Sequence, residues 1–136
     1  MAKSFDQAAV VPVRDGLVGL ITSSNGKRWV VPKGQIDPGH TAREAASIEA
    51  WEEAGWLGFL ENEPIGNYSY RKDGRERNVL VFLMTVTDER DQWPEASFRC
   101  REWLTAEDAI ERIGEPGLQA ILRGLSAVSN SVRDSA

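Results

Sequence analysis

Residues 32–56 read PKGQIDPGHTAREAASIEAWEEAGW, a glycine-rich turn followed by a helix that carries Glu49, Glu52 and Glu53. Steps of three and four residues put these carboxylates on one helical face, where they repel unless a positive charge lies between them. A hard cation meets that need, because Mg²⁺ takes oxygen ligands and is commonly shared with substrate phosphates. A bare ExxEE also suits an acidic face turned to solvent, so the flanking residues decide.

Those residues delimit the helix. Thr41 with Glu44 fits a capping box after the Pro38-Gly39 turn. Gly55 fits a C′ glycine. Ala46, Ala50 and Ala54, with Trp51 nearby, give a small-residue face able to lie close against a sheet. Pro32-Lys33-Gly34 reads as a tight turn feeding the helix.

Laid along the chain, this stretch resembles the Nudix box, Gly-x5-Glu-x7-Arg-Glu-U-x-Glu-Glu-x-Gly-U, where U is a bulky apolar residue. Gly34, Glu49, Glu52, Glu53 and Gly55 match it. His40 stands where the family has its first glutamate, and Ile48 where it has arginine; Ala50 and Trp56 fill the U positions. An arginine at 48 would reach Glu52 one turn on, and a glutamate at 40 would be its natural partner. Both are replaced together, so neither is left as an orphan charge.

The resemblance implies an α/β fold, a Nudix-type α/β/α sandwich with a mixed sheet between helices. It implies Glu49, Glu52 and Glu53 as catalytic residues and metal ligands, helped by the Gly34 carbonyl, with Mg²⁺ as cofactor and Mn²⁺ as substitute. Outside the box, Arg28-Trp29-Val30-Val31-Pro32, Trp93-Pro94-Glu95 and Arg99-x-Arg101-Glu102-Trp103-Leu104 are similar to the diphosphoinositol polyphosphate phosphohydrolase branch. That branch also hydrolyses diadenosine polyphosphates, and Arg77 falls where it carries a phosphate-binding arginine. The branch often has Gly-Gly-Gly where this chain has Lys33-Gly34-Gln35.

Composition fits one domain. The 136 residues with 41% hydrophobic content and five tryptophans supply a core. Residues 8–125 form the expected core of a single domain over 1–136, with 126–136 as a disordered tail. No stretch is apolar enough for a membrane span, and MAKSFDQAAV lacks a secretory signal. Cys100 is the single cysteine, which excludes an intrachain disulfide and suits a reducing cytoplasm. A net charge of −5 argues against general nucleic-acid binding. It leaves room for a small phosphorylated substrate, since a cation and local arginines reverse the field inside a cleft. The chain is expected as a monomer or homodimer.

Along the chain, Ala8–Arg14 and Leu17–Ser23 read as strands joined at Asp15-Gly16. Trp29–Val31, Trp56–Leu60, Gly66–Arg71, Asn78–Val86 and Phe98–Leu104 read as further strands. Val79, Val81 and Leu83 alternate with Leu80, Phe82 and Met84, so Asn78–Val86 suits a central strand covered on both faces. Ala106–Ile113, capped by Thr105 and Asp108, and Glu115–Leu125 read as helices.

An anionic substrate needs cations. Arg28, Lys33 and Arg77 are candidates, since arginine suits bidentate phosphate contacts. Each also reads as ordinary surface charge, as does the Arg71, Lys72, Arg75, Arg77 cluster. His40, the chain's only histidine, reads either as a solvated turn residue or as a substrate-phosphate contact. The expected chemistry is hydrolysis of an acid anhydride in a nucleoside- or inositol-linked diphosphate or polyphosphate, with Glu52, Glu53 or Glu102 as proton acceptor. Nucleoside triphosphates and RNA 5′ ends are the alternative substrates, and a ligand-binding sensor without turnover is the alternative class.

Overall fold

The computed structural model describes the backbone of residues 4–135 and the side chains of residues 4–126. Eight strands form one sheet: β1 (Gln7–Arg14), β2 (Leu17–Thr22), β3 (Trp29–Val30), β4 (Lys33–Gln35), β5 (Trp56–Leu60), β6 (Gly66–Lys72), β7 (Arg75–Glu89) and β8 (Arg101–Leu104). The main path runs β3-β2-β1-β7-β5, with β8 on β2, β4 on β1 and β6 on β7. Only β1 and β7 run parallel, so the sheet is mixed.

β7 organises the sheet. One edge pairs with β1 from Val79 to Thr85. The other pairs first with β6 and then with β5. Its alternating apolar residues serve two cores, as the sequence predicts. Val79 and Val81 lie with Ala9, Val11 and Leu20 under helices α2 (Ala106–Arg112) and α3 (Pro116–Ser135), which contribute Ala109, Leu118 and Leu122. Phe82, Met84 and Val86 face α1 (Ala42–Glu49) and the turn that follows it. Each such side chain, once buried, contributes about 1.5–3 kcal/mol. The result is helices on both faces of a mixed sheet, the α/β sandwich expected. Among the described residues no helix is long and apolar enough to cross a membrane.

Local chemistry explains the joints. Asp15 and Gly16 both take positive φ, as do Asp73 and Gly74, which fits the two-residue hairpin turns that join β1 to β2 and β6 to β7. Thr41 and Glu44 form a reciprocal capping box at the start of α1. Ala46, Ala50 and Ala54 are fully buried, which lets the helix lie against β1.

Several expectations are corrected. Lys33-Gly34 is part of a short strand on β1, not a tight turn. The helix stops being regular after Glu49, and Ala50–Ala54 forms one π turn, with Gly55 N–H reaching back to Ala50 O and Trp51 O. Arg75 and Arg77 lie in β7, because the hairpin closes at Asp73-Gly74. The last strand begins at Arg101, not Phe98, since residues 94–98 make turns. Helix α3 continues past Leu125; of the tail expected over 126–136, all but Ser126 have side chains outside those described.

Candidate active site

Alternation along β4 creates two adjoining environments. Gly34 faces α1, and a Cβ there would overlap the Glu49 carboxyl group. Only glycine lets the carboxylate approach the strand so closely. The neighbouring Lys33 sends its side chain to the other face of the sheet, where it lines a cleft of about 360 Å³.

On the α1 side, the Glu49 and Glu53 carboxyl groups lie close enough to shift each other's titration. Glu53 is 8% exposed, and Lys33 N–H donates to its Oε1 at 3.2 Å. Arg99 Nη2 lies 3.6 Å from Glu53 Oε2. Burial, then the Glu49 carboxyl, push Glu53 up to about 8, against the pull of Arg99 and the Lys33 amide. Glu49 is also raised, by burial first and by the charges of Glu52, Glu95 and Asp37.

The segment after β7 holds this cluster in place. A helix end leaves carbonyls without partners. Here Glu52 O accepts from Glu95 N–H at 3.0 Å, Glu53 O from Trp93 Nε1 at 2.9 Å, and Ala54 O from Arg101 Nη1 at 3.0 Å. Arg99 forks onto Glu95 Oε1 at 3.0 and 2.7 Å and donates to Thr22 O at 2.9 Å. Glu95 and Arg99 therefore belong to the site, although the sequence gives them no role. The available signal was a cluster of donors, Trp93, Arg99 and Arg101, just beyond a strand. A π turn at the glutamates fits the frequent use of that irregularity at functional sites.

The cleft on the other face is basic with an aromatic floor. Lys27, Arg28, Lys33, Lys72 and Arg112 line it, with Trp29, Tyr68, Tyr70 and the single acid Glu115. Arg28 and Lys33 thus share one cleft, on the face away from the carboxylates. Arg77 pairs with Tyr70 across β6 and β7, and its Nε is buried with no acceptor among the described residues. Glu102 does not join the carboxylates; it pairs with Arg112 at 2.7 Å. His40 does not join either set. It lines a separate groove with Arg43, Glu44, Ile48 and Phe59.

The carboxylates of Glu49, Glu52 and Glu53 with the Gly34 carbonyl are an all-oxygen donor set of the kind a hard divalent cation takes. Among the described residues no three acidic, histidine or cysteine side chains are gathered closely enough to hold an ion. The oxygen-only donor type and the mutual repulsion of the acids suit a hard cation.

The NUDIX domain family profile matches residues 4–124. Nudix hydrolase 16, mitochondrial, of Arabidopsis thaliana is 34% identical over 111 residues, covering 76% of this chain and 61% of that protein. Diphosphoinositol polyphosphate phosphohydrolase 3-beta of Bos taurus is 37% identical over 101 residues, covering 72% and 60% respectively. This chain therefore spans about three fifths of the length of these relatives. The crystal structure of a C. elegans Ap4A hydrolase binary complex superposes with a TM-score of 0.77 at 23% identity, over 94% of this chain and 99% of that one, a likeness of fold. A match that runs from residue 4 to residue 124 takes in all eight strands and the glutamate helix, and the chain belongs to the Nudix family.

Proposed function

We propose that the chain hydrolyses a phosphoanhydride bond in a nucleoside- or inositol-linked diphosphate or polyphosphate. One observation carries this: Lys33 joins the two environments. Its backbone N–H holds Glu53, while its side chain lines the basic cleft on the far side of β4. A phosphate chain held by the cleft's cations would run past Lys33 toward the carboxylates. The bovine relative named for diphosphoinositol polyphosphates supports an inositol-linked substrate, and the fold shared with an Ap4A hydrolase is compatible with a dinucleoside one.

Glu49, Glu52, Glu53 and the Gly34 carbonyl would hold Mg²⁺, with Mn²⁺ as substitute. When bound, the cation supplies neutralisation of phosphate charge and a lowered pKa for water. The chain's own residues do the rest. Arg28, Lys33 and Lys72, which line the cleft, neutralise and orient phosphate oxygens, with Arg77, opposite Tyr70, as a further candidate. The Arg90–Arg101 segment fixes the π turn, so that the carboxylates keep their geometry. Glu53 and Glu52, next to each other in the π turn, are the candidate proton acceptors. Glu95, held by Arg99, is a further candidate. The single free Cys100 suits a reducing compartment, for which we propose the cytoplasm; the plant relatives carry "mitochondrial" in their names.

The test is phosphate and pyrophosphate release with Mg²⁺ from diphosphoinositol phosphates, diadenosine polyphosphates, nucleoside triphosphates and capped RNA, with Glu53→Gln in parallel. Turnover that is lost in the variant supports the proposal and names the substrate. Absence of turnover across the panel from folded protein would overturn it in favour of a ligand-binding sensor.

A further inference from the structure

We propose that Tyr70 is a positioning residue that aims Lys33 at the substrate's phosphates, and that Gln7 sets the direction of the Tyr70 hydroxyl. The inference rests on the reading above that Lys33 receives substrate phosphate.

The three side chains form a chain across strands β4, β6 and β1. Lys33 Nζ donates to Tyr70 Oη at 3.0 Å, and Tyr70 Oη donates to Gln7 Oε1 at 2.7 Å. The polarity follows from chemistry. A lysine ammonium has three donors and no acceptor, so the tyrosine proton cannot point at it. That proton goes to the Gln7 carbonyl oxygen, and a hydroxyl lone pair is left facing Lys33. With one N–H committed to Tyr70, the ammonium keeps two for an anion in the cleft.

This arrangement answers a specific problem. Lysine ends in a compact charge on a flexible four-carbon stem, and freezing it costs rotamer entropy when a ligand arrives. The Lys33 backbone is already fixed, paired with Ala9 on β1 and bonded to Glu53. The tip is the loose part, and Tyr70 holds it before substrate binds. Its ring also lies near the ammonium, with the centroid 4.5 Å from Nζ. Gln7 and Tyr70 stand on strands that both border β7, so the holder is rigid sheet rather than loop.

The test compares wild type, Tyr70→Phe, Lys33→Met and the double variant in two measurements: steady-state kinetics on the substrate found by the panel, and calorimetric binding of inorganic tripolyphosphate. Tyr70→Phe keeps the ring and removes only the hydroxyl. It is expected to raise KM and weaken tripolyphosphate binding roughly tenfold, with kcat changed by less than about twofold and Tm preserved. In the Lys33→Met background the same change is expected to do nothing, because the partner is gone. Gln7→Leu is expected to give a smaller loss in the same direction.

Equal effects of Tyr70→Phe in both backgrounds would overturn the proposal, since the hydroxyl would then act independently of Lys33. A fall in kcat or Tm with KM unchanged would overturn it too. Coupled loss of tripolyphosphate binding in a protein that turns nothing over would uphold the positioning role and refute the hydrolase reading. Absence of tripolyphosphate binding by wild type would overturn it.

Discussion

Gly34 and Glu49 occupy complementary space: the strand lacks a side chain where the helix places a carboxyl group, and a Cβ would meet Glu49 Oε2 at 2.7 Å. Gly34 cannot gain a side chain without moving Glu49. Gly34 also lies inside the β1–β4 pairing, opposite Ala8, so its backbone cannot retreat.

Gly34→Ala is therefore expected to displace Glu49 while the rest of the domain stays folded. A misplacement of about 1 Å at a catalytic group costs about 10²-fold in rate. Turnover should fall by about that factor, with far-ultraviolet circular dichroism unchanged and Mg²⁺ affinity reduced in calorimetry. A variant with normal turnover and metal affinity would show that Glu49 need not sit where it does.

Titration of the paired acids gives a second prediction. Glu53 is held up to about 8 by burial and by Glu49, well above the ordinary carboxylate value of about 4.3. The folded chain therefore binds more protons than the unfolded chain between those values. By linkage, the stabilisation is fully present below the ordinary value and is lost as pH rises through about 8. In chelator, the urea midpoint should fall as pH is raised from about 5 to about 9, and Glu53→Gln should flatten that slope. Mg²⁺ should restore the wild-type midpoint at the alkaline end, by binding only the folded carboxylates. A flat wild-type profile would mean that Glu53 ionises at no cost.

The sheet and its helices were legible because their signals are local. Alternating apolar residues in Val79–Met84, glycines after Asp15 and Asp73, and the Thr41–Glu44 box each report a backbone state directly. The glutamate trio and Gly34 were legible as a motif. What escaped depends on contacts distant in sequence. β4 is three residues long and is a strand only because β1 pairs with it. The π turn has no propensity signature; it follows from fitting the helix end to the Arg90–Arg101 segment. The roles of Glu95, Arg99 and Tyr70 exist only once β7 and β8 bring those residues back to the helix and to β4. The ends of β7 extend over charged residues, Arg75, Glu76 and Asp88, whose strand state comes from their neighbours.

Among the described residues Arg99 is the one guanidinium paired with Glu53, and its side chain is 9% exposed. Its removal leaves Glu53 and Glu95 without their cation, and Thr22 O without the donor at 2.9 Å. Breaking a buried pair from one side costs about 3–5 kcal/mol. Arg99→Ala should lose stability on that scale in urea unfolding, and the alkaline loss of stability should move to still higher pH, since a lowering influence on Glu53 is gone. Arg99→Lys should recover part of it, because a point charge returns without the fork. Equal stability of all three proteins would show that the pair is dispensable.

His40 and Ile48 line one groove with Arg43, Glu44 and Phe59, away from both the carboxylates and the basic cleft. The positions that depart from the Nudix box thus border the same groove, which fits a joint replacement of an ion pair by a weaker polar and apolar surface. Ile48 is 36% exposed, so neither residue carries a buried charge that needs compensation. Surface changes of this kind stay within about 0.5 kcal/mol. His40→Ala should therefore leave kcat/KM within about twofold and the pH–rate profile unshifted. Restoring the family's pair with His40→Glu and Ile48→Arg should add at most about 1 kcal/mol of stability, as an exposed ion pair does. If His40→Ala instead abolished one limb of the pH–rate profile, the groove would have to communicate with the carboxylates along α1, and substrate contact at His40 would return as the better account.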